Sequence, residues 1–320
     1  MQTEVKFIVL WAVILIPFFA GSKIRSGLKS PQATAKKLIR INLFFLEPFI
    51  LLWSIWGLKL NFDMIFLPLA GLSTVIIGYF TGKIFIKMVK LQGKTAASYL
   101  ISSILANQGL SLGGFICYLI AGEQGLGLAT IYVSYFLPFL FLFIFPYAKL
   151  ASMQENSDSG TTKTLTLKKY AKLLFNFQNL PLAGILAALF LQMFRIDRPV
   201  ISFNLDYLIF TDILLYYLTL GINFEIGHFS TGIKEQAVLA ISKFIILPVI
   251  TFIALYFIEL DPLVETVIQV QSCMPAAIYS VISTILFDLD SKLNSGLFVV
   301  NSLLFLAVML PALLFLQGII

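Results

Sequence analysis

The stretch "ILANQGLSLGGFICYL", residues 104–119, lies inside a segment otherwise apolar enough to cross a lipid bilayer. Asn107, Gln108 and Ser111 place polar groups there, and Gly109, Gly113 and Gly114 weaken any helix that runs through. A helix-interior glycine costs about 1 kcal/mol relative to alanine. A polar group stranded in hydrocarbon costs more. The combination predicts a helix that breaks at membrane depth, with the break as a binding site. Irregular backbone survives at that depth only where protein or a water-filled cavity satisfies it.

A second stretch repeats the pattern with different residues. "IQVQSCMPAAIYSV", residues 268–281, carries Gln269, Gln271, Ser272, Met274 and Pro275 in another long apolar segment. An interior proline removes a backbone bond and clashes with the preceding turn, at about 3 kcal/mol or more. Two half-helices restarting near Gly113 and Pro275 would aim their positive ends at a common centre, which favours an anion. Amide side chains such as Asn107 and Gln271 both donate and accept hydrogen bonds. The candidate substrate contacts are therefore Asn107, Gln108, Gly109, Gly113 and Gly114 from the first break, with Gln271, Ser272, Met274 and Pro275 from the second.

Composition sets the frame around these stretches. Hydrophobic residues make up 59% of the 320 and charged residues 12%, half the charged share of an average soluble domain. Ten apolar segments are predicted at 5–21, 41–58, 62–82, 97–121, 126–148, 174–194, 203–224, 236–258, 262–287 and 294–318. Most reach the length needed to cross roughly 30 Å of hydrocarbon. Residues 149–173 are polar and Ser/Thr-rich and read as a linker between halves 1–148 and 174–320. Eighteen of the 22 lysines and arginines fall on the side of that linker, Lys243 among them. The positive-inside rule then makes the linker cytoplasmic and sets both termini outside. Five spans per half imply an inverted repeat, the plan of many secondary transporters. The expected fold is an all-α polytopic membrane protein of ten helices, with the fourth and ninth broken and crossed.

Other functions find little support. Cys117 and Cys273 are isolated, His228 stands alone, and no HExxH, P-loop or nucleophile–base pair occurs, so neither an enzyme nor a cofactor is expected. The basic balance follows from membrane topology and points to no nucleic acid. Ionisable residues inside spans are candidates for coupling a proton or sodium ion. Asp212 leads them, on the order of 13 Å into its span at ~1.5 Å per residue. Glu47 lies shallower, and Glu265 and Gln269 share a helix face at i, i+4. Ser134 and Asn301 correspond at an offset of 167 residues between the halves, and Tyr132 supplies an apolar wall with a hydroxyl.

The sequence resembles the auxin efflux carrier family, within the wider group that includes bile acid:sodium symporters. "ANQGLSLGGF" is similar to the family's fourth-span motif: Asn107 and Gly109 match its Asn and first Gly, while Leu112 and Gly114 stand where a second Gly and a Pro are expected. "SCMPAAIYSVISTILFDLDSKLNSGLFVVNSLLFLAVMLPALLF" is similar to the ninth and tenth spans, with Pro275 as the crossover proline. "FQNLPLAGILAALFL" and "LLYYLTLGINF" resemble the sixth and seventh. The resemblance implies a scaffold of spans 1, 2, 6 and 7, with room for a homodimer through it. It also implies a mobile domain of spans 3–5 and 8–10. The substrate would be a small organic anion, auxin-like or malate-like, moved by alternating access in a plasma or bacterial inner membrane. A sodium-coupled bile-acid-type symporter and a sensor that binds without transporting stay open as alternatives.

Overall fold

The computed structural model describes residues 3–59, 61–109, 112–155, 180–199, 205–223 and 232–316. Ser111, His228 and most of the expected linker lie outside them. Among the described residues the chain is helical with no strand, apart from one isolated bridge between Ala106 and Ala276. Five helices among the described residues are long and apolar enough to cross a membrane by length and composition: Phe62–Val89, Gly113–Tyr132, Leu205–Ile222, Ile233–Tyr256 and Ser291–Phe315. Phe44–Trp56, Leu142–Met153 and Ala183–Met193 are shorter apolar helices. Several of the ten apolar segments read from hydropathy are thus shortened or divided helices among the described residues. The helix Phe145–Glu155 also runs into the stretch read as linker.

Gly113–Tyr132 is itself folded back. Ala121 and Gly122 leave helical geometry, Gly122 at φ +60°, a conformation open to glycine and strained for other residues. A Cβ added at Gly114 would lie 3.4 Å from Leu126 Cδ1. In a straight helix positions 114 and 126 would be about 18 Å apart. The segment is therefore a hairpin of two short arms, with its turn where the sequence divides segments 97–121 and 126–148.

Prolines shape four other helices by one local rule. Pro48, Pro146, Pro248 and Pro311 each stand two residues after a π-turn, at 42–46, 140–144, 242–246 and 305–309. In each case the residue before the proline donates its N–H to the carbonyl five back, as Glu47 does to Asn42 and Leu247 to Ser242. A proline ring collides with the carbonyl four residues earlier. Widening that turn moves the carbonyl aside and keeps the helix continuous. Pro17 is accommodated within Thr3–Ile24 without such a turn.

Packing sorts these helices around the crossing. Thr3–Ile24 lies along Leu205–Asn223, and Glu47–Trp56 along Leu180–Met193. The first pair meets almost backbone to backbone: a Cβ on Gly21 would fall 2.9 Å from the Ile222 nitrogen. Phe80, Ile84, Phe190, Ile253 and Phe315 remain exposed on helix faces, an apolar surface suited to lipid.

Candidate functional site

The two marked stretches are both broken, and they meet. Helix Gly93–Ile104 ends at extended Leu105, and helix resumes at Gly113. Helix Pro262–Ser272 ends at Cys273 and resumes as Ile278–Leu286. Between the ends the chains run antiparallel. The Asn107 N–H donates to the Pro275 carbonyl at 2.8 Å, and the Ala277 N–H to the Leu105 carbonyl at 3.2 Å. Each break thus satisfies backbone groups that the other's missing helix leaves open.

The first break also caps itself. Gly113 N–H donates to the Asn107 carbonyl at 3.1 Å and Gly114 N–H to the Gly109 carbonyl at 3.0 Å. Those amides, read from the sequence as free for an anion, are spent within the loop. Gly113 keeps a negative φ, so its role is close approach rather than an unusual backbone angle. A Cβ there would run into Gln271 Oε1 and lie 3.0 Å from Gln108 Cα.

Gln108 ties three helices to the crossing. Its Nε2 lies 3.3 Å from both Thr74 Oγ1 and the Tyr132 hydroxyl and 3.1 Å from the Gln271 carbonyl. Its Oε1 accepts from the Tyr135 hydroxyl at 2.9 Å. The amide is committed to holding the break in shape.

A cavity of about 110 Å³ opens beside the cross. Asn107, Gln108, Gly109, Gly114 and Ser134 line it, together with Ala277, Ile278 and Tyr279 at the start of the second half-helix. The facing wall comes from Glu47 and Leu51, Pro181 and Ile185, and Tyr216. Among the described residues Glu47 is the one charged side chain of the lining, and it accepts a hydrogen bond from the Tyr216 hydroxyl. Leu126, Val133, Phe136 and Ile278 supply an apolar surface. The space can take a small molecule with one polar head and an apolar body, oriented by an amide and several hydroxyls.

Other positions read from the sequence lie elsewhere. Gly113, Gln271, Ser272, Met274, Pro275 and Tyr132 are packed at the crossing but do not line the cavity. Gln271 Nε2 points to Cys117 Sγ at 3.8 Å, and its Oε1 has no hydrogen-bond partner among the described residues. Gln269 donates to Glu265 at 2.9 Å, the i, i+4 pair read from the sequence, on the Pro262–Ser272 helix away from the cavity. Asn301 is fully buried outside the lining. Asp212 is fully buried, and both of its carboxylate oxygens lack a partner among the described residues.

One functional group had been misread. Lys243 was counted with the loop charges, but it is fully buried in the π-turn Ser242–Ile246. Its Nζ donates to the Leu105 carbonyl at 3.1 Å, at the negative end of the Gly93–Ile104 helix. The neighbouring Ser242 Oγ lies 2.9 Å from Thr81 Oγ1, fixing the turn against Phe66–Val89. Its nearness to the basic Lys234 disguised it; the Pro248 five residues on, which sets the turn, was the available signal.

Residues 5–313 match a family model described as "Membrane transport protein". A search of curated proteins returns no match to the chain.

Proposed function

Because the chain belongs to this membrane transport protein family, the auxin efflux carriers, we propose that it is a secondary transporter for a small organic anion. The crossing of two broken helices beside a cavity is the observation that carries this reading. Asn107 and Ser134 offer polar contacts to a carboxylate, and the Ile278–Leu286 helix brings its positive end to the same wall. The apolar lining accommodates the rest of the molecule.

In this reading ten membrane passes form two inverted halves, 1–148 and 174–320, with a cytoplasmic linker at 149–173 and both termini outside. The helices carrying the cross rock against a scaffold of spans 1, 2, 6 and 7. Supporting this division, the cavity lies between the cross and the Glu47 and Tyr216 helices. On another side two polar contacts among the described residues join the same two groups. Arg198 Nη1 pairs with Glu123 at 2.8 Å, and the Tyr118 hydroxyl donates to Asp206. An ion pair and a tyrosine hydrogen bond can open and reform at modest cost, as alternating access requires.

Counterflow of labelled malate, malonate and auxin in proteoliposomes tests the reading, with and without sodium and pH gradients. Exchange of at least one carboxylate, lost in Asn107→Ala, is the expected result. Absence of exchange for every carboxylate by folded, reconstituted protein would overturn it.

A further inference from the structure

Among the described residues the cavity is lined by one ionisable acid, Glu47, and by no lysine or arginine, the wrong sign for an anion. Lys243 lies on the crossing and is turned to the Leu105 carbonyl. Like charges repel more strongly in a protein interior than in water, because little solvent screens them. That would cancel the help from an amide and a helix end.

Behind Glu47 the structure assembles a second set of polar groups. Asp212 and Tyr216 are one turn apart on Leu205–Asn223 and share a face. Tyr216 donates to Glu47, and Asp212 lies within electrostatic reach of that same carboxyl. Asn42, fully buried at the start of the π-turn, donates its Nδ2 to the Asp212 main-chain carbonyl at 2.9 Å. Asn42 Oδ1 and both Asp212 oxygens have no partner among the described residues. The π-turn set by Pro48 puts Asn42 and Glu47 in register with this face, since the Glu47 N–H closes on the Asn42 carbonyl. Tyr279, from the Ile278–Leu286 helix, lines the same cavity as Glu47 and is another titratable group near it. No described lysine or arginine forms an ion pair with either carboxyl. Two buried carboxyls on neighbouring helices, beside a cavity and with two oxygens left unpartnered among the described residues, form a place where a proton can be held and released.

We propose that the Glu47 and Asp212 carboxyls, held on neighbouring helices by the Tyr216–Glu47 hydrogen bond and by Asn42 on the Asp212 main-chain carbonyl, carry an exchangeable proton that must be in place for an anion to occupy the cavity, making transport a proton–anion symport. The coupling part rests on the transport reading above. The proton arrives from water on the loading side and binds a carboxylate oxygen. It leaves to water on the other side with the substrate, so charge and mass balance without any co-reactant.

Two measurements test this separately. Infrared difference spectra of reconstituted protein, without substrate, read protonated carboxyl directly as pH is stepped. Wild type should show the acid carbonyl band at neutral pH, diminished in both Glu47→Gln and Asp212→Asn. Its absence from wild type, or its persistence in both variants, overturns the proton site. Malate accumulation with the membrane potential clamped at zero then reads coupling. One proton per anion predicts about tenfold accumulation per unit of pH gradient. Glu47→Gln should lose the response and Glu47→Asp should restore part of it. Malate exchange in wild type with no response to the gradient overturns the symport. If none of the carboxylates moves, the transport reading falls while the infrared band still decides the proton site; if another one exchanges and malate does not, the accumulation is read with that one.

Discussion

The break at residues 105–112 caps its own helix, whereas the break at 273–277 leans on its neighbour. In the first, Gly113 and Gly114 donate to carbonyls of the same loop, and Gln108 reaches out to hold Thr74, Tyr132 and Tyr135. In the second, Pro275 has no N–H to give, its carbonyl is taken by Asn107, and Ala277 donates across to Leu105. Its new helix begins at the cavity wall, through Ala277, Ile278 and Tyr279. The glycine-rich break holds its own shape and lends Asn107, Gln108, Gly109 and Gly114 to the cavity, while the proline break adds the start of its second half-helix. Glycine permits the tight self-contact of the first; proline forbids continuation of the helix in the second and leaves the partner to complete its pairing.

Substitutions can break or sharpen that contrast, ranked by their effect on stability. Gly113→Val should be the most damaging, because the new side chain enters the space of Gln271 Oε1 and Gln108. Overpacking there should cost about 3 kcal/mol or more and collapse the thermal unfolding midpoint in detergent; a near-normal midpoint would show the glycine-rich break to be slack. Lys243→Met should come next, at about 1–3 kcal/mol, because it keeps the bulk and removes the donor to Leu105. If the melting temperature holds, the dipole end of the first half-helix needs no cation. Gln108→Leu should cost about 1–2 kcal/mol and weaken substrate affinity as well, since loss of the amide loosens the loop that lines the cavity. Equal affinity in the variant would separate the loop's shape from binding. Asn107→Ala should be mildest for stability, about 1 kcal/mol or less, yet abolish carboxylate binding in a flux or scintillation-proximity assay. Its backbone bonds to Pro275 and Gly113 do not depend on the side chain.

The breaks were legible because glycine, amides and proline are conspicuous against an apolar background. The same background hid other features. Lys243 lies nine residues after Lys234, across the apolar stretch 237–241, and a count of charges by side groups the two as loop. The proline four residues past Phe244 widens the turn and carries it inward. Glu47 was visible as an intramembrane acid, but its position on the cavity wall depends on Tyr216, 169 residues away. Asn301 matched Ser134 by offset, yet Ser134 lines the cavity and Asn301 is buried elsewhere, because a shared register does not make two helices face the same space.

By itself the amino-acid order determined that the chain belongs in lipid, which segments are apolar, and where two of them lose their helix. These are local matters of hydrophobic transfer and backbone hydrogen bonding, settled within a turn or two. Only the tertiary structure decided that Asn107 pairs with Pro275, that Lys243 serves Leu105, and that Glu47 faces the cavity with Asp212 behind it. Those partners are far apart along the chain, and in a low-dielectric interior a polar group takes the role of whatever packing brings within reach.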